Sequence, residues 1–190
     1  MSLDKVKAFF ADCGMADRIR EFAVSSATVE LAAAALHCAP CRIAKTLAFL
    51  AGEQTILIVA AGDARIDNRK YRETFGIKAK MIPPAEVEAR TGHAPGGVCP
   101  FAVPAGTLIY LDGSLRRFET VFPACGSSNS AIELTLPELE RCSGAKEWVE
   151  VCALRERAVQ ATTVPTPAAV RVRSACKVPS CTDGRRGFRR

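Results

Sequence analysis

Apolar positions recur every three or four residues at the start of the chain. In SLDKVKAFFADCG, Leu3, Val6, Phe9 and Phe10 form one stripe, with Ser2 placed to cap a helix and Gly14 to stop it. REFAV is a short strand candidate. SSATVELAAAALHC is an alanine-rich second helix that begins at Ser26 or Thr28 and is ended by Pro40. The period then changes to two. RIAKTLAFLAG and EQTILIVAAG read as strands joined in a hairpin across Gly52, Glu53 and Gln54. Asp67 opens a basic helix that Gly76 ends, and Pro83 and Pro84 open a shorter one in PPAEVEARTG. HAPGGVCPFAVPAG is a Gly/Pro loop. TLIYLDGSLRRFETVFPACG supplies two strands around an Asp112–Gly113 turn. A strand ending near Leu134 precedes a helix opened by Thr135 and Pro137. No internal repeat is present. Helices interspersed with hairpin-like strands predict an α/β (α+β) domain built on a mixed sheet flanked by helices.

One strand breaks its own pattern. In RIAKTLAFL, alternate residues place Ile43, Lys45, Leu47 and Phe49 on one face, and Ala44, Thr46, Ala48 and Leu50 on the other. A lysine among large apolar neighbours is costly unless it has a partner or faces a cavity. It can also extend its stem and expose its ammonium.

Composition adds an appendage to this picture. The 190 residues are 48% hydrophobic and 24% charged, ordinary for a soluble domain. No stretch approaches the roughly 18–20 apolar residues that span a bilayer. The N-terminus lacks an apolar signal core, so the expected location is cytoplasmic, with no membrane partner. Residues 154–190 carry nine basic and two acidic residues, while residues 1–153 carry 17 and 18, so the whole +6 excess lies in the tail. Two parts are therefore expected: a folded domain over 1–153 and a basic tail over 154–190. The tail is rich in Pro and Thr and reads as disordered, as an arm for RNA or as a solubilising extension. Within the body, Arg65, Arg69, Lys70, Arg72, Lys78 and Lys80 fall within sixteen residues, opposed by Asp67 and Glu73. On a helix, Arg65, Arg69 and Arg72 would share a face, either a solvated one or a patch for nucleic-acid phosphates.

Nine cysteines, an odd number, do not suggest a disulfide scaffold. Cys38 and Cys41 form a CxxC, which could be a redox pair or half a zinc site. It trails a helix, however, and Cys176 and Cys181 are a poor second pair. Incidental reduced thiols are the favoured reading, with no metal and no cofactor.

From RIAKTLAF through ILIVAAGDARIDNRK, TGHAPGGVCPF and YLDGSLRRFETVFPACGSSNSAIEL, the sequence resembles the YbaK/ProX family, in order and over roughly residues 1–145. These are aminoacyl-tRNA deacylases related to the editing insertion domain of bacterial prolyl-tRNA synthetase. The resemblance implies a mixed, strongly bent sheet with the site in a cleft. It implies trans-editing hydrolysis of the ester of a mischarged tRNA, of Ala- or Cys-tRNA type and on tRNA-Pro, with an aminoacyl-tRNA synthetase as a further partner. Lys45 falls on the family's essential lysine. Gly96 and Pro100 are the first and last residues of its GxxxP motif. Gly126 and Ser127 fall in the segment that lines the pocket. Ala124 stands where some cysteine-clearing members have serine, which bears on amino-acid specificity.

The chemistry fits such residues. Water attack on an ester carbonyl builds negative charge on oxygen, and backbone N–H groups of a glycine loop can approach it closely. Gly96, Gly97, Val98 and Cys99 form the candidate oxyanion loop, stiffened by Pro100. Lys45 supplies a cation for the terminal adenosine or its phosphate. No Ser/His/Asp set is apparent. Cys99 with His93 as base is an alternative nucleophile, whereas the resemblance implies water assisted by a ribose hydroxyl, without a covalent intermediate. A rival of another class is a non-catalytic tRNA-binding subunit of a synthetase assembly. A second rival is a metal- or redox-dependent regulator using Cys38 and Cys41.

Overall fold

The computed structural model describes residues 2–154. The basic segment expected over 154–190 lies outside them except for Leu154. Ten strands and five helices follow one another in the described chain. Helix α1 (Ser2–Asp12) precedes strand β1 (Ile19–Glu21), and α2 (Val29–Leu36) precedes β2 (Ile43–Ala51), β3 (Gln54–Ala61) and β4 (Ala64–Ile66). Helices α3 (Asn68–Phe75) and α4 (Pro84–Thr91) come next, then β5 (Leu108–Asp112), β6 (Thr120–Pro123), β7 (Ser130–Ile132) and β8 (Leu134–Thr135). Helix α5 (Leu136–Ser143), β9 (Glu147–Val149) and β10 (Cys152–Leu154) complete the series.

A curled six-stranded sheet in the order β8-β6-β2-β3-β5-β9 forms the centre, with two-stranded pairs β1-β7 and β4-β10 beside it. The β2–β3 hairpin is antiparallel from Ala44↔Ala61 to Ala51↔Gln54. Strand β5 joins β3 in parallel and β6 joins β2 in parallel, so the sheet is mixed. Strand β3 is apolar almost throughout and buried from Thr55 to Ala61, as expected of a strand covered on both faces. Phe10 of α1 meets the Phe101 ring edge-on at 4.8 Å. Tyr71 of α3 packs against Phe49 at 5.2 Å and Phe75 at 4.7 Å.

Local signals set several boundaries. The Asp67 carboxylate accepts from the amides of Arg69 and Lys70, and Gly76 ends α3 in the left-handed conformation. Thr135 and Glu138 cap α5 reciprocally. Helix α2 stops earlier than Pro40 requires, because His37 already turns left-handed at φ 53°. Asp112–Gly113 does not make a hairpin. Strands β5 and β6 lie on opposite sides of the β2–β3 hairpin, joined through a 3₁₀ turn over Gly113–Arg117. The Asp112 carboxylate is occupied by amides from Ser114 (3.0 Å), Val151 (2.9 Å) and Cys152 (3.1 Å). Arg65 precedes α3 and lies on β4, so Arg65, Arg69 and Arg72 do not share one helical face.

The Arg18 guanidinium reaches the Glu138 carboxylate at 2.7 Å, and the Thr135 amide donates to it as well. Together they pull the Glu138 carboxyl down to about 2 from 4.5. A carboxyl depressed on folding stabilises above its unfolded value and loses that contribution as pH falls through the folded value. Glu138→Gln should therefore lower stability by about 1 kcal/mol at neutral pH, discounted for solvent contact. Urea titrations should show this deficit shrinking from about pH 4.5 downward and vanishing near pH 2.

Candidate functional site

Lys45 leaves β2 half-buried, and its ammonium donates to the carbonyl oxygens of Gly62 (3.0 Å) and Ala64. Gly62 lies in the turn between β3 and β4, and Ala64 is the first residue of β4. Gly62 is fixed there by crowding, since a Cβ would come 2.1 Å from the Pro40 carbonyl oxygen and 2.7 Å from a Val29 methyl. The charge on the strand face is thus compensated by main-chain dipoles and remains at a cavity wall. Lys45 also helps hold the nearby Asp63 carboxyl below its ordinary range, after the larger effect of Arg117, which reaches that carboxylate at 2.5 and 3.0 Å.

Ala94, Pro95, Gly96 and Gly97 form a tight turn closed by the Gly97 amide on the Ala94 carbonyl at 3.0 Å. Proline second and a left-handed residue third match a type II turn, which explains Gly96 at φ 86°. Gly97 answers a different constraint. A Cβ there would lie 2.7 Å from Ser127 Cα, so the loop rests directly on the backbone of the next segment. Gly126 in turn abuts Ser2 at the start of α1, where a Cβ would meet the hydroxyl at 2.7 Å.

Lys45, Gly96 and Val98 line one cleft of about 330 Å³. Its other walls come from Ser26, Thr28, Ala44, Thr46, Ala124 and Ser130, among others. The remaining residues singled out in the sequence take other places. Pro100 faces a separate hollow with Phe9 and Cys13. Cys99 is buried. Gly126 and Ser127 support the loop from behind instead of lining the cleft, and the Ser127 hydroxyl bonds to Asn129 (2.9 Å) and Ser130 (2.6 Å). Arg65 borders a second hollow beside Lys45, and Arg69 and Arg72 border a third. Lys70 turns away and donates to the Cys152 carbonyl at 3.2 Å.

The segment Phe22–Thr28 had no signal of a site role in its composition. It is brought in by long-range pairing: the Phe22 amide bonds to Asn129 O (2.8 Å) and the Ser26 amide to Ser128 O (2.5 Å). This seats Ala27 against Gly96, where a Cβ on the glycine would come within 3.0 Å.

His93 and Cys99 do adjoin, with Sγ 3.4 Å from Nε2, but they do not form a nucleophile–base pair. The Ser2 hydroxyl bonds to Nδ1, and Nε2 lies 2.9 Å from the Phe101 carbonyl. That arrangement fits Nδ1 as acceptor and Nε2–H as donor, so no lone pair faces the thiol. Desolvation pushes the Cys99 thiol up to about 12 and His93 down from its usual value. Burial also raises the Cys38 thiol, and among the described residues no cluster of three metal-ligating side chains forms.

Residues 24–142 match the model of the aminoacyl-tRNA editing domain. The chain belongs to this family. An uncharacterized Bacillus subtilis protein, YwhH, is 55% identical over 153 residues, covering 80% of this chain and 98% of that protein. A candidate trans-editing enzyme for prolyl-tRNA synthetase superposes with a TM-score of 0.70 at 28% identity, covering 77% of this chain and 94% of its own. A scaffold protein used for epitope backbone grafting gives 0.72 at 25% identity, with 80% and 97% coverage. The family and the neighbours agree with the mixed, curled sheet, and they support aminoacyl-tRNA deacylation as the general activity of this editing domain. No helix among its described residues is long and apolar enough to cross a membrane.

The editing domain's buried thiol gives a direct check. Cys99→Ala should keep turnover near the wild-type value, whereas loss of a true nucleophile costs on the order of 10⁶-fold in a serine hydrolase. Single-turnover deacylation measures this, and a collapse of activity in a folded Cys99→Ala protein would restore the cysteine mechanism.

Proposed function

We propose that this cleft hydrolyses the ester of a small mischarged amino acid, of alanine or cysteine type, on tRNA-Pro, by attack of water. The observation that carries the reading is the convergence of Lys45, Gly96 and Val98 on one cleft. Two different parts of the chain, β2 and the Ala94–Pro100 loop, supply its cation and its main-chain donors. The Gly97 amide is engaged in the turn, so Gly96 and Val98 are the loop's candidate donors for the developing oxyanion. Gly97, Cys99, Pro100, Gly126 and Ser127 hold that loop in place from behind. Lys45 binds the terminal ribose or phosphate near the ester and, being charged, also favours the negative transition state. The walls include Ala27, Ala32, Ala44, Ala124 and Ala131 beside Ile43 and Phe122, which suits a small side chain. Apolar walls of this kind discriminate by about 1–3 kcal/mol per methylene.

Arg69 and Arg72 of α3 supply phosphate contacts outside the cleft, with Lys70 contributing charge from the same helix and Arg65 from β4 beside it. The basic C-terminal segment adds further affinity for RNA. The protein acts in the cytoplasm, beside the synthetase whose errors it clears, and requires no cofactor.

Lys45→Ala should reduce single-turnover deacylation by 10²-fold or more, the scale of losing one charge-stabilising group. Thermal melting should shift little, because the lost side chain sits at a cavity wall. Wild-type turnover by folded Lys45→Ala protein would refute the mechanism. Binding of tRNA without any hydrolysis by the wild type would instead describe a tethering subunit.

A further inference from the structure

Among the described residues, strand β2 is covered along its outer edge in two stretches, with a gap between them. Strand β6 pairs with Ile43 and Ala44 only. The Lys80–Ile82 segment resumes the ladder further on, with the Leu50 amide on Lys80 O (2.8 Å) and the Ile82 amide on Ala48 O (3.0 Å). Two cavities meet at Lys45 and Leu47 in the gap: the cleft containing Gly96, and a second hollow of about 260 Å³. The floor of the second hollow is apolar, formed by Leu47, Phe49, Ile66 and Met81, with Arg65 and Asn68 at its rim. Met81 is 60% exposed, so part of the apolar lining is open to solvent. A third hollow, sharing Asn68 and Ala79 with the second, is walled by Arg69, Arg72 and Lys78.

The order along the surface is therefore cleft, apolar pocket, cationic hollow. We propose that the second hollow receives the base of the terminal, unpaired nucleotide of the RNA, and that its backbone continues over Arg69, Arg72 and Lys78. A nucleobase needs an apolar surface for its face and tolerates polar groups at its edge, which is the division between the Leu47–Met81 floor and the Arg65–Asn68 rim. A thioether adds favourable contact with an aromatic ring. The neighbouring cations outnumber Asp67 and Glu73, of which Asp67 caps α3 and Glu73 pairs with Arg69. A strand-edge gap between the two hollows lets a ribose ester lie across β2 with its amino acid on one side and its base on the other. The placement rests on the Gly96 cleft as the aminoacyl site.

Binding of uncharged tRNA carrying 2-aminopurine in place of its terminal adenine tests this without requiring catalysis. Leaving the stack of its neighbouring base for an aliphatic pocket should raise the emission of the fluorophore on titration with the full-length protein. Met81→Ala and Arg65→Gln, both surface changes, should abolish most of the rise and weaken binding by roughly 5-fold, the scale of losing part of one apolar contact. Arg72→Gln should leave the rise intact and lower the log–log salt slope by about 0.7. An unchanged rise in Met81→Ala, or no rise when wild-type protein binds, would overturn the placement, the second outcome leaving the hollow to a protein partner. Equal competition by free AMP would overturn the RNA-end assignment in favour of a free-nucleotide site. If the wild type shows the rise but hydrolyses no aminoacyl-tRNA, the proposed activity fails and the base pocket stands. If it hydrolyses without the rise, only the pocket fails.

Discussion

The site depends on one backbone-to-backbone contact, that of Gly97 on Ser127. Its closeness leaves no room for a Cβ. It sets the height of the Ala94–Pro100 loop above the sheet, and the Pro95–Gly96 turn then determines which amides remain for a substrate. The same Ser127–Ser130 segment bonds to Phe22 and Ser26, which brings Ala27 against Gly96 and closes the cleft opposite Lys45. From below, Ser2 joins His93 and abuts Gly126, so the first turn of α1 reinforces the loop it never lines. Preorganisation of this kind is what the proposed attack of water would need, because fixed dipoles stabilise an oxyanion without reorganising at the moment of reaction.

The lysine satisfies a second requirement, that a charge be accommodated on an apolar strand face. Main-chain carbonyls of Gly62 and Ala64 accept from the ammonium, and the nearby Asp63 carboxylate, whose pKa Lys45 helps to lower, is engaged by Arg117. Carbonyl dipoles lower the cost of burial and leave the formal charge in place.

Legibility in the sequence followed the range of the interactions. The caps of α3 and α5 lie within a few residues of the helices they begin, and Asp67, Gly76 and Thr135 marked them correctly. The β2–β3 hairpin was visible in alternation and loop length. Strands β9 and β10 were not, because Glu147–Val149 and Cys152–Leu154 are three residues each and owe their form to pairing with β5 and β4. Asp112–Gly113 read as a hairpin turn because its partners, the amides of Val151 and Cys152, lie some forty positions away. In the site, Lys45 announced itself as a local violation of pattern. Ser26 and Thr28 did not, nor did Gly62 as the acceptor of the lysine ammonium, since their places come from contacts that no local spacing encodes.

The most direct measurement is single-turnover deacylation of tRNA-Pro charged separately with alanine, cysteine, serine and proline. The account predicts that alanyl or cysteinyl ester disappears well above its spontaneous rate while prolyl ester is spared. Spontaneous decay of every ester, with protein that still binds the tRNA, would contradict it.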